Sequence, residues 1–223
     1  MAERIAFLDE TLRFPDPGGA RADGLLAAGG DLSPERLLLA YRSGIFPWFD
    51  AESPILWWSP DPRMVLFPAE LRVSASMHRV LKSNRFRITR NTCFDRVISR
   101  CARIRRPGQA GTWITAEMEE AYGRLHRLGY AVSYEVWEGS NLAGGLYGVD
   151  LGGVFCGESM FSDTPDASKA GFIHMVRVLE ARDYRLIDCQ VYTRHLASLG
   201  AREIPRIDFL KLLEVHQKPG PEK

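Results

Sequence analysis

Asp188 and Gln190 stand two residues apart in Leu186-Ile187-Asp188-Cys189-Gln190, a run that reads as a buried β-strand. Residues i and i+2 of a strand point the same way, so the acid and the amide share one face, and Ile187, Cys189 and Val191 share the other. Burying both polar groups is costly unless each has a partner. Such a pair is either a hydrogen-bonded lock between strands or a site, and its setting in an apolar strand favours a site. The carboxylate can accept a proton, whereas a glutamine amide is too weak a base and can only align a polar group. A second stretch, Gly157-Glu158-Ser159-Met160-Phe161-Ser162, puts Glu158 after a glycine at a strand end. There an acid is a site group or a capping or salt-bridged carboxylate.

Other chemistries lack their residues. Cys93, Cys101, Cys156 and Cys189 form no C-x-x-C, and none lies near a histidine at metal-ligand spacing. They read as four reduced thiols of a cytosolic protein. The histidines at 78, 126, 174, 195 and 216 are scattered and form no H-E-x-x-H, so no metal site is expected. No apolar run approaches the roughly 18 residues of a membrane span. Met1-Ala2-Glu3-Arg4-Ile5 has no cationic segment followed by an apolar stretch, so no signal peptide is expected.

The 223 residues suit one large domain or two unequal ones, and a hydrophobic content of 45% is ample for a core. Ser33 as N-cap, Pro34 at the first helical position and Glu35 in the first turn predict a helix that Gly44 ends. Five prolines and three tryptophans between 46 and 68 show no period. That stretch is expected to be irregular chain with short strands, and a boundary is expected near residue 62, giving domains 1–62 and 63–223. Beyond it, helices are predicted from Ser74, from Asn91 or Thr92, and from Thr115, with a strand over 85–89 before the second. Strands over 130–137 and 142–149 form a hairpin, and a third covers 153–157. A helix from Asp166 or Ser168 to about Arg182, the Asp188 strand, a short helix near 195–199, a strand at 202–204 and a last helix from Ile207 complete the chain. The order implies an α+β fold, a mixed sheet with helices on its faces in an acyltransferase-like layout.

The net charge of +1 hides an asymmetry. Residues 72–106 hold eleven Lys/Arg and one acid, Asp95, a local charge of +10. A block so one-sided is either a solvated helical surface or a face presented to nucleic acid.

Several longer motifs carry a resemblance. Gly24-Leu25-Leu26-Ala27-Ala28-Gly29-Gly30-Asp31-Leu32-Ser33, Gly44-Ile45-Phe46-Pro47-Trp48-Phe49, Trp57-Trp58-Ser59-Pro60, Gly111-Thr112-Trp113-Ile114-Thr115 and the two opening stretches resemble those of the leucyl/phenylalanyl-tRNA–protein transferases, over about residues 5–213. The resemblance implies a small N-terminal domain and a larger domain similar to the GNAT acyltransferases. It implies transfer of leucine, phenylalanine or sometimes methionine from tRNA to proteins beginning with Arg or Lys, which creates an N-terminal degradation signal. It implies no metal or organic cofactor, no ATP, a cytoplasmic location, no membrane partner and a monomer. Ala75, Val132 and Phe172 depart from the residues common in the family, implying one phosphate contact fewer and a narrower amino-acid pocket.

Carried over residue by residue, the resemblance implies that Asp188, Gln190 and Glu158 are catalytic. Leu146, Met160, Phe172, Met175, Leu179 and Ile187 would form the side-chain pocket, although Phe172, Met175 and Leu179 also have ordinary core spacing on a helix. Trp48, Trp113, Tyr41 and Tyr122 would lie near the terminal adenosine. Arg72, Arg79, Lys82, Arg85, Arg87 and Arg90 would contact the RNA backbone. Two proton routes are open: Asp188 orients Gln190 to align the attacking amine, with Asp188 or water taking the proton later, or a ribose hydroxyl of the terminal adenosine shuttles it. A CoA-dependent N-acetyltransferase is a second reading, since Arg105-Arg106-Pro107-Gly108-Gln109-Ala110 fits R-x-x-G-x-A, but here that loop follows a helix instead of a strand. A tRNA-binding module without catalysis is a third, and it leaves Asp188 and Gln190 without a purpose.

Overall fold

Short apolar runs near the N-terminus pair into a small sheet. The computed structural model describes residues 5–104 and 114–218. In it, β1 (Ala6–Leu8), β2 (Leu25–Gly29), β3 (Phe46–Pro47) and β4 (Leu56–Trp58) lie in the order β1-β2-β4-β3. Helix α1 (Pro34–Arg42) crosses between β2 and β3, and the Ser33 hydroxyl accepts from the Arg36 backbone N–H at 3.3 Å, as the cap pattern predicts. Gly44 leaves the helix at φ 74°, and a Cβ there would meet Leu210 Cδ2 at 2.5 Å. Both conformation and space therefore call for glycine.

The remaining elements build a larger sheet. They are β5 (Arg63–Leu66), α2 (Ala75–Lys82), β6 (Arg87–Arg90), α3 (Phe94–Arg103), α4 (Ala116–Arg127), β7 (Ala131–Glu138), β8 (Asn141–Asp150), β9 (Val154–Ser162), α5 (Ala167–Glu180), β10 (Leu186–Gln190), α6 (Arg194–Ser198), β11 (Arg202–Ile204) and α7 (Arg206–His216). The order is β11-β5-β10-β9-β8-β7-β6. Every neighbouring pair is antiparallel except β9 and β10, which run parallel because α5 carries the chain back between them. The α+β reading of the sequence holds: a mixed sheet is flanked by helices.

Two apolar layers clamp this sheet. On one face Phe94, Val97, Met118 and Tyr122 of α3 and α4 pack in a core that continues through Leu37, Tyr41 and Trp57 of the N-terminal segment. On the other, Met77 of α2 and Phe172, Ile173, Met175 and Val176 of α5 pack over Leu66, Leu146 and Ile187. The small sheet is thus joined to one face of the large one by shared core.

One expectation is corrected. The third strand of the meander does not stop at 157 but runs to Ser162, so Glu158 sits inside a strand. The Pro-rich stretch is irregular chain with short strands, as expected, and β5 at its end is an interior strand of the large sheet, between β11 and β10. Its four residues are all buried, and the charge of Arg63 disguises it as surface chain.

Candidate active site

The parallel strands β9 and β10 pair only at Leu186↔Val154, Ile187↔Phe155 and Asp188↔Cys156. Beyond that point each is irregular. Against β8 the register jumps between Tyr147↔Ser159 and Gly148↔Gly157, leaving Glu158 as the extra residue. Against β5 it jumps between Asp188↔Val65 and Gln190↔Met64, leaving Cys189 as the extra residue. A β-bulge bends its strand and re-aims the side chains that follow. Gln190 has a positive φ of 64°, a conformation that non-glycine residues rarely adopt. Gly148 sits opposite the first bulge, where a Cβ would lie 2.3 Å from the Cys156 carbonyl oxygen.

A cavity of about 520 Å³ opens where the strands part. Phe46, Pro47 and Trp48 of the small sheet form one wall, and Leu146, Phe155, Met160, Phe172, Met175 and Ile187 form an apolar floor. Gly157, Glu158, Gln190 and the segment that follows β10 complete its rim.

The bulge overturns the face assignment made from alternation. Ile187, Cys189 and Gln190 all line the cavity, whereas Asp188 does not. An i, i+2 rule fails across an inserted residue. Asp188 instead points at Arg63, whose Nε donates to Oδ1 at 2.8 Å and whose Nη2 donates to Oδ2 at 2.7 Å. Both side chains are 1% exposed. The Arg63 guanidinium also donates from Nη1 to the Gly44 carbonyl oxygen at 3.1 Å and lies 4.8 Å from the Phe46 ring centroid and 4.5 Å from that of Phe209. Asp188 Oδ1 accepts in addition from the Gln190 backbone N–H at 2.9 Å. The acid therefore fixes the backbone of Gln190 from behind the site.

Glu158 and Gln190 face each other: Gln190 Nε2 donates to Glu158 Oε1 at 2.8 Å. Tyr122 Oη donates to Glu158 Oε2 at 3.0 Å and is itself hydrogen-bonded to the Tyr41 hydroxyl. Burial, helped by the Asp188 charge and opposed by these hydrogen bonds, pushes the Glu158 carboxyl up to about 8. With Nε2 engaged on Glu158, the amide oxygen of Gln190 is the group left to meet a ligand. Burial also pushes the Cys189 and Cys156 thiols up, with the Asp188 charge adding to it, so neither is a ready thiolate nucleophile.

The other expected residues divide by position. Leu146, Met160, Phe172, Met175 and Ile187 line the cavity; Leu179, farther along α5, is buried in the core and does not. Trp48 stands at the mouth, 38% exposed, beside Trp58 at a centroid distance of 5.6 Å. Tyr41 and Tyr122 are buried beneath Glu158 and reach the cavity through its carboxyl group. Trp113 and the R-x-x-G-x-A stretch at 105–110 lie outside the described residues. Arg72, Arg79, Lys82, Arg85, Arg87 and Arg90 are exposed on and beside α2 and β6, outside the cavity lining, with Arg85 paired to Glu138 at 2.7 Å and Arg90 to Asp150 at 3.7 Å.

Sequence reasoning missed Arg63, Phe46, Tyr192 and His195. The last lines the cavity with its Nε2 buried and without a hydrogen-bond partner among the described residues, and burial, then the Lys169 charge, lowers its pKa toward the neutral imidazole. The unusual Phe46-Pro47-Trp48 run was a usable signal. Arg63 and His195 offered none beyond their residue type.

Two family models match the chain: leucyl/phenylalanyl-tRNA protein transferase over residues 65–214, and the N-terminal domain of the same proteins over residues 30–61. A leucyl/phenylalanyl-tRNA–protein transferase of Anaeromyxobacter sp. (strain Fw109-5) is 62% identical over 206 residues, covering 92% of this chain and 88% of the relative. Proteins of the same name from Syntrophobacter fumaroxidans and Flavobacterium johnsoniae are 59% and 56% identical, covering 92% and 93% of this chain and 88% and 98% of theirs. A solved structure described as "The structure of L-PGS from Bacillus licheniformis" matches at 10% identity with a TM-score of 0.40, over 74% of this chain and 55% of that one, a likeness too slight to add weight.

Proposed function

The chain belongs to the leucyl/phenylalanyl-tRNA–protein transferase family, and we propose that it moves leucine or phenylalanine, and methionine less well, from aminoacyl-tRNA to the α-amine of proteins beginning with Arg or Lys. The product carries an N-terminal degradation signal. The observation that carries the reading is a carboxyl group with a pKa of about 8, hydrogen-bonded to an amide at the rim of an apolar cavity.

The aminoacyl ester is already activated, so the reaction needs no ATP. The acceptor amine attacks the ester carbonyl, an amide bond forms, the ester C–O bond breaks, and the ribose hydroxyl leaves with a proton. Burial raises the Glu158 carboxyl from the ordinary carboxylate range toward that of an α-amine, which favours proton transfer from the amine to it. In this reading Gln190 aligns the amine through its amide oxygen, Glu158 takes its proton and returns it to the leaving oxygen, and Asp188 with Arg63 holds Gln190 in its strained backbone conformation. Much of the rate then comes from holding amine and ester together.

The apolar floor accepts the amino-acid side chain, and Trp48 at the mouth is placed to stack on the terminal adenosine, worth roughly 1–3 kcal/mol. Such a cavity refuses valine and isoleucine only by shape, so discrimination of roughly 10–200-fold per methylene is expected. Phe172→Ala is expected to shift preference from leucine toward phenylalanine by about tenfold, read by competing the two charged tRNAs. A division at residue 62, a monomeric state and a cytoplasmic location belong to the same proposal. Two observations bear on it: β4 ends the small sheet at Trp58 while β5 opens the large one at Arg63, and no helix among the described residues is long and apolar enough to cross a membrane.

The deciding assay mixes labelled leucyl-tRNA with a protein that starts in Arg and with a copy that starts in Met. Label is expected only on the first, and only if the tRNA has not been digested with RNase beforehand. Transfer that survives digestion, or equal labelling of both proteins, would refute the reading.

A further inference from the structure

Helix α3 carries a second basic band that the sequence did not separate from the first. Arg96, Arg100 and Arg103 follow the spacing i, i+4, i+7, which stacks them on one side of the helix while Phe94, Val97, Ile98 and Cys101 are buried on the other. With Ser99, Asn141, Leu142 and two acids, Asp95 and Asp163, they line a groove of about 460 Å³. Aromatic rings hold two of the guanidinium groups: Arg96 lies 5.5 Å from the Trp137 centroid and Arg100 lies 5.7 Å from that of Phe161. Arg100 also pairs with Asp163. Arg87 of the edge strand β6 lies over the same Trp137 ring at 5.5 Å, so the band runs without a break from β6 onto α3.

Four arginines against two acids leave this band positive. Guanidinium groups braced on rings lose little freedom on binding, and their planar forks match phosphate oxygens two at a time. The groove also lies in the right direction. Strand β9 carries Glu158 at the cavity and ends just before Asp163 at the groove, a separation of five residues or roughly 16 Å at 3.3 Å per residue. Helix α2 packs on the opposite face of the sheet from α3.

We propose that the α3 groove is a second phosphate track for the RNA backbone of the aminoacyl-tRNA, so that the RNA straddles the edge strand β6 instead of lying along α2 alone. The inference rests on the transferase reading above. Its test is the salt dependence of leucyl-tRNA binding to the full chain, compared with R96A/R100A/R103A and R96K/R100K/R103K. The slope of log K against log salt is expected to fall by about 2 in the alanine variant, since each phosphate contact contributes roughly 0.7–0.9. Its low-salt Kd is expected to rise at least about tenfold. The lysine variant keeps the slope, and all three proteins transfer leucine from leucyl-adenosine at the same rate, which separates a lost track from a damaged fold. A wild-type slope in the alanine variant overturns the track while leaving the transferase reading intact. Absence of leucyl-tRNA binding and transfer in the unaltered protein overturns both.

Discussion

Asp188→Ala is expected to destabilise the protein by about 3–5 kcal/mol, the usual cost of stranding a buried charge by removing its partner. Arg63 would remain 1% exposed, with the Gly44 carbonyl oxygen and two aromatic rings as its surroundings. Urea unfolding should show a lower midpoint with an unchanged slope, which marks a change in stability alone. Transfer should fall with it, because the Gln190 backbone N–H loses the acceptor that supports it at φ 64°. The paired variant R63M/D188L separates the two effects. Replacing both buried ions with apolar groups is often neutral for stability, so the paired variant is expected to regain most of the lost stability and none of the lost kcat. Recovery of both would mean that Asp188 matters only for folding.

Glu158→Gln is expected to lower kcat by about 10²–10⁴-fold, the range for a lost general base, while the hydrogen-bonding shape of the rim is kept. The pH profile carries the sharper signature. Below pH 8 the unaltered enzyme needs both the acceptor amine and Glu158 unprotonated, so log kcat/KM should fall with a slope approaching two. The variant retains only the amine and should fall with a slope of one; equal slopes would remove Glu158 from the proton's path. Stability responds in the opposite direction. The folded carboxyl titrates at about 8 against an ordinary value of 4.5, so between those two pH values the native state keeps a proton that the unfolded chain has released. The native protein should therefore lose stability as pH rises through this window, on the order of a few kcal/mol at most. Glu158→Gln should abolish that loss.

Features governed by neighbouring residues were legible in the sequence. Ser33-Pro34 and Thr115 announced α1 and α4 because a cap is a hydrogen bond across three residues. The β7–β8 hairpin was legible for a similar reason, its turn falling at Gly139-Ser140. The buried ion pair was not, because Arg63 and Asp188 are 125 residues apart and an arginine in a Pro-rich stretch resembles surface chain. Nor was the contact of Tyr41 with Tyr122, 81 residues away, which sets both hydroxyls beneath Glu158. Leu179 has the same helical spacing as Phe172 and Met175 but lies a turn farther along α5, in the core beyond the cavity lining. The opening pair was half legible: Gln190 lies at the cavity, but Asp188 was assigned to the wrong side of the strand.

That half-error follows from the bulge at Cys189, which bears on the changes in chain length that the protein can tolerate. Deleting Cys189 would let β10 run in regular register along β5 and remove the bulge in which Gln190 meets Glu158 at φ 64°, though no reactive group had been lost. Exchanging Cys189 for another small apolar residue would leave the geometry alone. At this position, then, an insertion or deletion is more damaging than a substitution, whereas surface loops tolerate changes in length. A gap opened here when aligning related chains would mark a broken site even where every polar residue is retained.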